Sequence, residues 1–305
     1  MISKFSTFTN LIFSLIGLFF AFVALFYVGT SFFNEIKNES VIYFHYWFFF
    51  TPFIYALILI LPAYGWALFL YKEPKSKRQD FFRLISIYGH TSLLKYAPGN
   101  FLHFIGRHYL SRRYGYNHNQ ILSATFHEIS NLISVCSFIA LISIFFVDNL
   151  NLISRINSFT SNIKIILFLG VFLPVFLPRN KWIFLSFFHG FFGKFKFETV
   201  IKSWTMYFLF CFLSGLLLWI LINSNNVKID FWQVLFVYAV SYIFSYLIPG
   251  LPGGLGLREG SIIYLLNAYN GIASSVILLR IIFILGEIIF WFFCSKNLKK
   301  QLKEL

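Results

Sequence analysis

Apolar runs long enough to cross a bilayer recur along this 305-residue chain, and they leave it few ways to fold. Lipid offers no water to backbone N–H and C=O groups, so a spanning segment must satisfy them internally as a helix or pair them in a closed barrel. A hydrocarbon core takes about 20 apolar residues of helix. On that measure Leu11 to Phe33, Trp47 to Tyr71, Ala124 to Val147, a short Ile163 to Leu177, Ser203 to Asn223, Phe231 to Ile248 and Ile272 to Cys294 are predicted spans. The chain is therefore predicted to be all-α, a polytopic helix bundle forming one integral membrane domain over residues 1–305. With 58% hydrophobic and 12% charged residues, no stretch reads as a soluble module.

Against that background two segments stand out because they break the helical pattern. PGLPGGLGLREG, Pro249 to Gly260, sets prolines, glycines and an Arg-Glu pair inside an apolar stretch. Irregular backbone at membrane depth is tolerated only where protein buries it or a polar cavity receives it. The second break, Pro98-Gly99, lies in Gly89 to Arg113 of the first half. Each break is followed within about ten residues by Gly and Arg, then by an apolar run; paired broken segments in corresponding halves point to a transporter's central site. The halves are read as residues 1–150 and 151–305, with breaks at 89–113 and 249–270.

Charge sets the expected orientation. Lys72, Lys75, Lys77, Arg78 and Arg83 form one basic cluster, Arg179, Lys181, Lys194 and Lys196 another, and Lys296, Lys299, Lys300 and Lys303 close the chain. Basic loops stay cytoplasmic, so the C-terminus is expected inside. Seven spans do not give that parity with the N-terminus inside. The stretch Pro249 to Asn270 is therefore expected to cross, with a half-helix over Ser261 to Tyr269, for about seven to eight spans in all. The net charge of +14 suits anionic headgroups; without a soluble basic module, nucleic acid is excluded as a partner.

Ionisable residues inside a membrane mark functional sites. The first half contributes His90, Lys95, His103, Arg107, His108, His127 and Glu128, and the second Arg258, Glu259, Arg280 and Glu287. Arg280 and Glu287 are seven apart, two helical turns, and share a face. Expected ion pairs are Arg107 with Glu128 and Glu259 with Arg280, gathering both breaks around one polar centre. Gly253, Gly254 and Gly256 allow a tight turn and close approach of a headgroup to the main chain. A half-helix beginning at Ser261 would aim its N-terminal N–H groups at that turn, where phosphate is stabilised. Arg107, Glu128, Gly253, Gly254, Gly256, Arg258, Glu259, Arg280 and Glu287 are thus the candidate substrate-binding residues.

Other chemistries find little local support. Cys136, Cys211 and Cys294 sit in apolar runs without metal spacing, and His103 and His108 are five apart rather than four. No HExxH, GxSxG or phosphate loop occurs. No metal, cofactor or catalytic residue is expected. The first apolar run lacks a small-residue cleavage site and reads as a retained helix.

The motifs resemble a known family. LIPGLPGGLGLREG (Leu247 to Gly260) and SSVILLRIIFILGEIIFWF (Ser274 to Phe292) are similar to the membrane region of bacterial lysylphosphatidylglycerol synthetases and their stand-alone relatives. KYAPGNFLHFIGRHYL (Lys95 to Leu110) resembles the family's N-terminal motif, and HEISNL (His127 to Leu132) sits where the family has an acidic residue. In full-length members this region is thought to flip aminoacylated phosphatidylglycerol, while a soluble domain transfers the amino acid from tRNA. The resemblance thus implies a flippase-like protein of a bacterial or archaeal cytoplasmic membrane. With eleven residues after the last predicted span, the transferase domain is expected to be absent. Asn100 departs from the commoner Arg- and Glu-bearing form of the first motif, which leaves the lipid open.

Three functional readings follow. The first is a lipid flippase or transporter for anionic or zwitterionic lipid headgroups or polyprenyl-phosphate glycans. The second is a membrane accessory protein of surface-polysaccharide or glycolipid synthesis, with a glycosyltransferase partner or a homo-oligomeric assembly. The third is a membrane-embedded lipid-modifying enzyme, which would need an acid-base pair at a headgroup pocket.

Overall fold

The computed structural model describes residues 46–71, 78–96, 102–147, 197–225, 227–247, 254, 256–266, 269 and 271–303, together with positions 26, 29, 30 and 33. The predicted spans at Leu11 to Phe33, apart from those four positions, and at Ile163 to Leu177 lie outside the described residues, as do Pro98-Gly99, Pro249 to Gly253 and the basic residues between Arg179 and Lys196. What is described is helical. The elements are α1 (Thr51–Ile58), α2 (Ile60–Leu70), α3 (Arg78–Thr91), α4 (Leu102–Arg113), α5 (His118–Phe146), α6 (Phe197–Ser224), α7 (Phe231–Leu247), α8 (Leu257–Leu265) and α9 (Ile272–Lys303), with 3₁₀ turns at Tyr46–Phe49 and Ser92–Tyr96.

Among the described residues, four helical segments are long and apolar enough to cross a membrane: Thr51–Leu70, His118–Phe146, Phe197–Ser224 and Ile272–Lys300, with Phe231–Tyr246 a shorter apolar helix. The expected span Trp47 to Tyr71 is divided at Leu59. Pro62 has no N–H to give the Ile58 carbonyl four residues back, so the ladder loses a rung there. At 28 and 29 residues, α6 and α5 reach about 42 and 44 Å, well beyond the ~30 Å hydrocarbon layer. The start of α7 is fixed locally: Asp230 accepts from the backbone N–H of Trp232 at 2.8 Å and of Gln233 at 3.1 Å, capping the helix.

The helices turn apolar stripes outward and polar groups inward. On α9, Ile281, Leu285, Ile288 and Phe292 recur at helical spacing on the exposed face, while Arg280 and Glu287 are buried. A water-soluble helix has the opposite pattern. On α5, Ser123, Ser130, Ser134, Ser137 and Ser143 are all buried, giving neighbouring helices a small-residue surface to pack on. Close approach is set at defined points. A Cβ on Gly286 would fall 2.8 Å from the Pro52 carbonyl, so α9 lies directly on α1; a Cβ on Gly89 would overlap the Cys294 side chain, so α3 lies equally close to α9.

Packing also relates the two broken segments. α3, α4 and α5 flank the first break, and α7, α8 and α9 flank the second. The helix before each break packs against the long helix after the other: α3 on α9, and α7 on α5. Within each group the short helix contacts both of its own neighbours. The two segments therefore interlock across the middle of the bundle.

Candidate functional site

α4 carries Arg107 inward, where its Nη1 donates to Glu128 Oε2 of α5 at 2.5 Å, with side chains 3% and 5% exposed. The Tyr88 hydroxyl of α3 donates to the other carboxylate oxygen at 2.9 Å. The guanidinium lies 3.8 Å from the Tyr88 ring centroid and 5.2 Å from that of Trp66. Salt bridge, hydroxyl and ring faces together replace the hydration that both charges lost. This is the first expected ion pair.

The second half repeats the arrangement with signs exchanged. Arg280 Nη1 on α9 donates to Glu259 Oε1 on α8 at 3.1 Å. In both halves the partners are 21 residues apart, Arg then Glu in the first and Glu then Arg in the second. Each links the short helix after a break to the long helix that follows. Arg258 Nη2 reaches the same Glu259 oxygen at 3.7 Å and lies over the Phe283 and Tyr242 rings at 5.1 and 5.7 Å.

The start of α8 differs from expectation. The half-helix runs Leu257–Leu265 rather than from Ser261 to Tyr269, so Arg258 and Glu259 occupy its first turn. The reason is side-chain chemistry: Glu259 Oε2 folds back to accept the Gly256 N–H at 2.8 Å. Gly256 has φ +83°, a left-handed conformation that glycine adopts without a Cβ clash. This cap places a protein carboxylate at the helix N-terminus, where the sequence reading had set a substrate phosphate. Gly254, at φ +68°, remains at the cavity wall; Gly253 is outside the described residues.

A third ion pair joins the halves. Lys95 Nζ, in the 3₁₀ turn before the first break, donates to Glu287 Oε1 on α9 at 2.6 Å. Glu287 is 3% exposed but Lys95 28%, so this pair alone of the three has a partly open cation. Sequence reasoning placed Glu287 with Arg280 on one inward face, and both do line the same cavity. It counted Lys95 among the intramembrane charges but gave it no partner, since a pairing across 192 residues leaves no local period to read.

These groups surround a cavity of about 210 Å³ between the two broken segments. Of the nine candidates, Arg107, Glu128, Gly254, Arg258, Arg280 and Glu287 line it, while Glu259 and Gly256 stand behind the wall. Lys95, His103, Tyr88, Tyr242, Ser245 and Tyr246 contribute further polar lining. Tyr242 and Tyr246 were missed, though their i, i+4 spacing on an apolar helix was a usable signal for hydroxyls sharing one inward face.

The family described as Lysylphosphatidylglycerol synthase TM region matches residues 10–293, nearly the whole chain. The chain belongs to that family. Among curated proteins and solved structures, none matches. Membership and the apolar helices together make the chain a multi-pass membrane protein with a lipid-related role. In this member of the family, the described helices on either side of both breaks gather exchanged charges around one polar cavity.

Proposed function

We propose that this chain translocates lipid headgroups, of a phospholipid or a lipid-linked glycan, across the cytoplasmic membrane of a bacterium or archaeon. One observation supports it above the others: charges from both broken segments converge on a single cavity inside an otherwise apolar bundle. Buried charges in lipid are costly and persist where they serve a polar pathway. At about 210 Å³ the cavity is smaller than the ~300–1,000 Å³ that encloses a drug-sized ligand. It suits a headgroup whose acyl or prenyl tails stay in the bilayer. An accessory protein that only docks a glycosyltransferase has no need of such a centre.

The test is a leaflet-resolved lipid assay in vesicles reconstituted with the whole chain. Arg258→Ala, Glu259→Gln, Arg280→Ala and Glu287→Gln are each expected to slow headgroup transfer about tenfold or more while the protein still inserts. Transfer at the native rate by all four inserted variants would remove this reading.

A further inference from the structure

We propose that the cavity selects a headgroup with one phosphodiester, net charge −1 and hydroxyl groups, and disfavours a headgroup of net positive charge. This rests on the translocation reading above and narrows its substrate. The first support is the charge balance. Among the described residues at the cavity wall or directly behind it, Lys95, Arg107, Arg258 and Arg280 are set against Glu128, Glu259 and Glu287. Each carboxylate has a nearest cation at 2.5 to 3.1 Å: Arg107 for Glu128, Lys95 for Glu287 and Arg280 for Glu259. Arg258 is left sharing, at 3.7 Å, an oxygen that Arg280 holds more closely. It is 9% exposed and lines the cavity. A buried guanidinium in surplus is neutralised by one arriving anion, and a cationic headgroup adds to the surplus.

The second support is an oxygen. Glu287 Oε1 holds Lys95, while Glu287 Oε2 is buried and makes no hydrogen bond of its own among the described residues, the neighbouring Tyr96 hydroxyl being likewise unsatisfied. An ionised carboxylate only accepts. The group that satisfies Oε2 must therefore donate, as a hydroxyl or an ammonium does and a phosphodiester oxygen does not; the cationic surplus at the wall favours the neutral hydroxyl. The combination describes a glycerol phosphodiester lipid or a polyprenyl-phosphate sugar equally well.

The experiment offers vesicles containing the whole chain a set of labelled lipids. The set is phosphatidylglycerol, phosphatidylmethanol, phosphatidylcholine, lysylphosphatidylglycerol and a polyprenyl-phosphate hexose. Phosphatidylglycerol or the polyprenyl lipid should cross about tenfold or more faster than lysylphosphatidylglycerol, and the faster of the two names the source. Phosphatidylmethanol, with the same charge but no hydroxyl, should fall between. Arg258→Gln should collapse the charge preference and Arg258→Lys retain it. Equal rates for lysylphosphatidylglycerol and phosphatidylglycerol overturn charge selection while translocation stands; equal rates for phosphatidylmethanol and phosphatidylglycerol overturn the hydroxyl contact. If nothing crosses, translocation itself fails and the site is judged by binding. Short-chain phosphatidylglycerol should then raise the Tm of the detergent-solubilised chain where lysylphosphatidylglycerol does not, with the difference lost in Arg258→Gln. No difference, or an equal rise with inorganic phosphate, overturns the proposal.

Discussion

Glu259 serves three groups at once: it caps α8 through the Gly256 N–H, bonds Arg280 of α9, and lies within 3.7 Å of Arg258. Removing it leaves two buried cations without their carboxylate, and breaking a buried pair costs about 3–5 kcal/mol. Glu259→Ala is expected to lower unfolding stability in detergent by that amount. Glu259→Gln should lose less, because an amide oxygen can still accept from Gly256. The Lys95–Glu287 pair calls for a different experiment, since Lys95 is partly open. Lys95→Glu and Glu287→Lys should each abolish transfer, and the exchanged double variant should regain a measurable part of it. A double variant as inactive as the singles would show that the pair does more than attract.

At the scale of elements, the short helices carry the unusual geometry. Gly256→Ala places a Cβ at φ +83°, a strain of about 1–2 kcal/mol, and should loosen the first turn of α8. Faster amide hydrogen exchange confined to residues 257–260 is the expected result. Much of this was legible beforehand. Apolar length gave α5, α6, α7 and α9, because lipid forces every long apolar run into a helix whatever its neighbours do. The two 21-residue ion pairs were expected from the cost of burying each charge alone. The start of α8 was not, because a Gly-Leu-Arg-Glu run reads locally as turn, and only the reach of Glu259 back to Gly256 makes it helix. The division at Leu59 was available from Pro62, whose missing N–H was obscured by a continuous apolar run.

Across the whole molecule, the exchange of partners makes each broken segment depend on the other. α3 is held to α9 by His90 Nδ1 and Ser295 Oγ at 2.7 Å and by Asn297 Nδ2 donating to Ser86 Oγ at 2.8 Å. In a chain whose own cysteines are replaced by alanine, Ser86→Cys with Asn297→Cys should form an intramolecular disulfide under mild oxidant, seen as a mobility shift reversed by reductant. Failure to cross-link would contradict the packing of α3 on α9. The same seam has a use in the unaltered chain. Cys294 is a free thiol shut against Gly89, and the other two cysteines are buried in the bundle. At rest the protein should be nearly silent to a membrane-permeant maleimide. Modification at Cys294 would keep time for every parting of the two helices, a chemical clock for opening built into the native sequence.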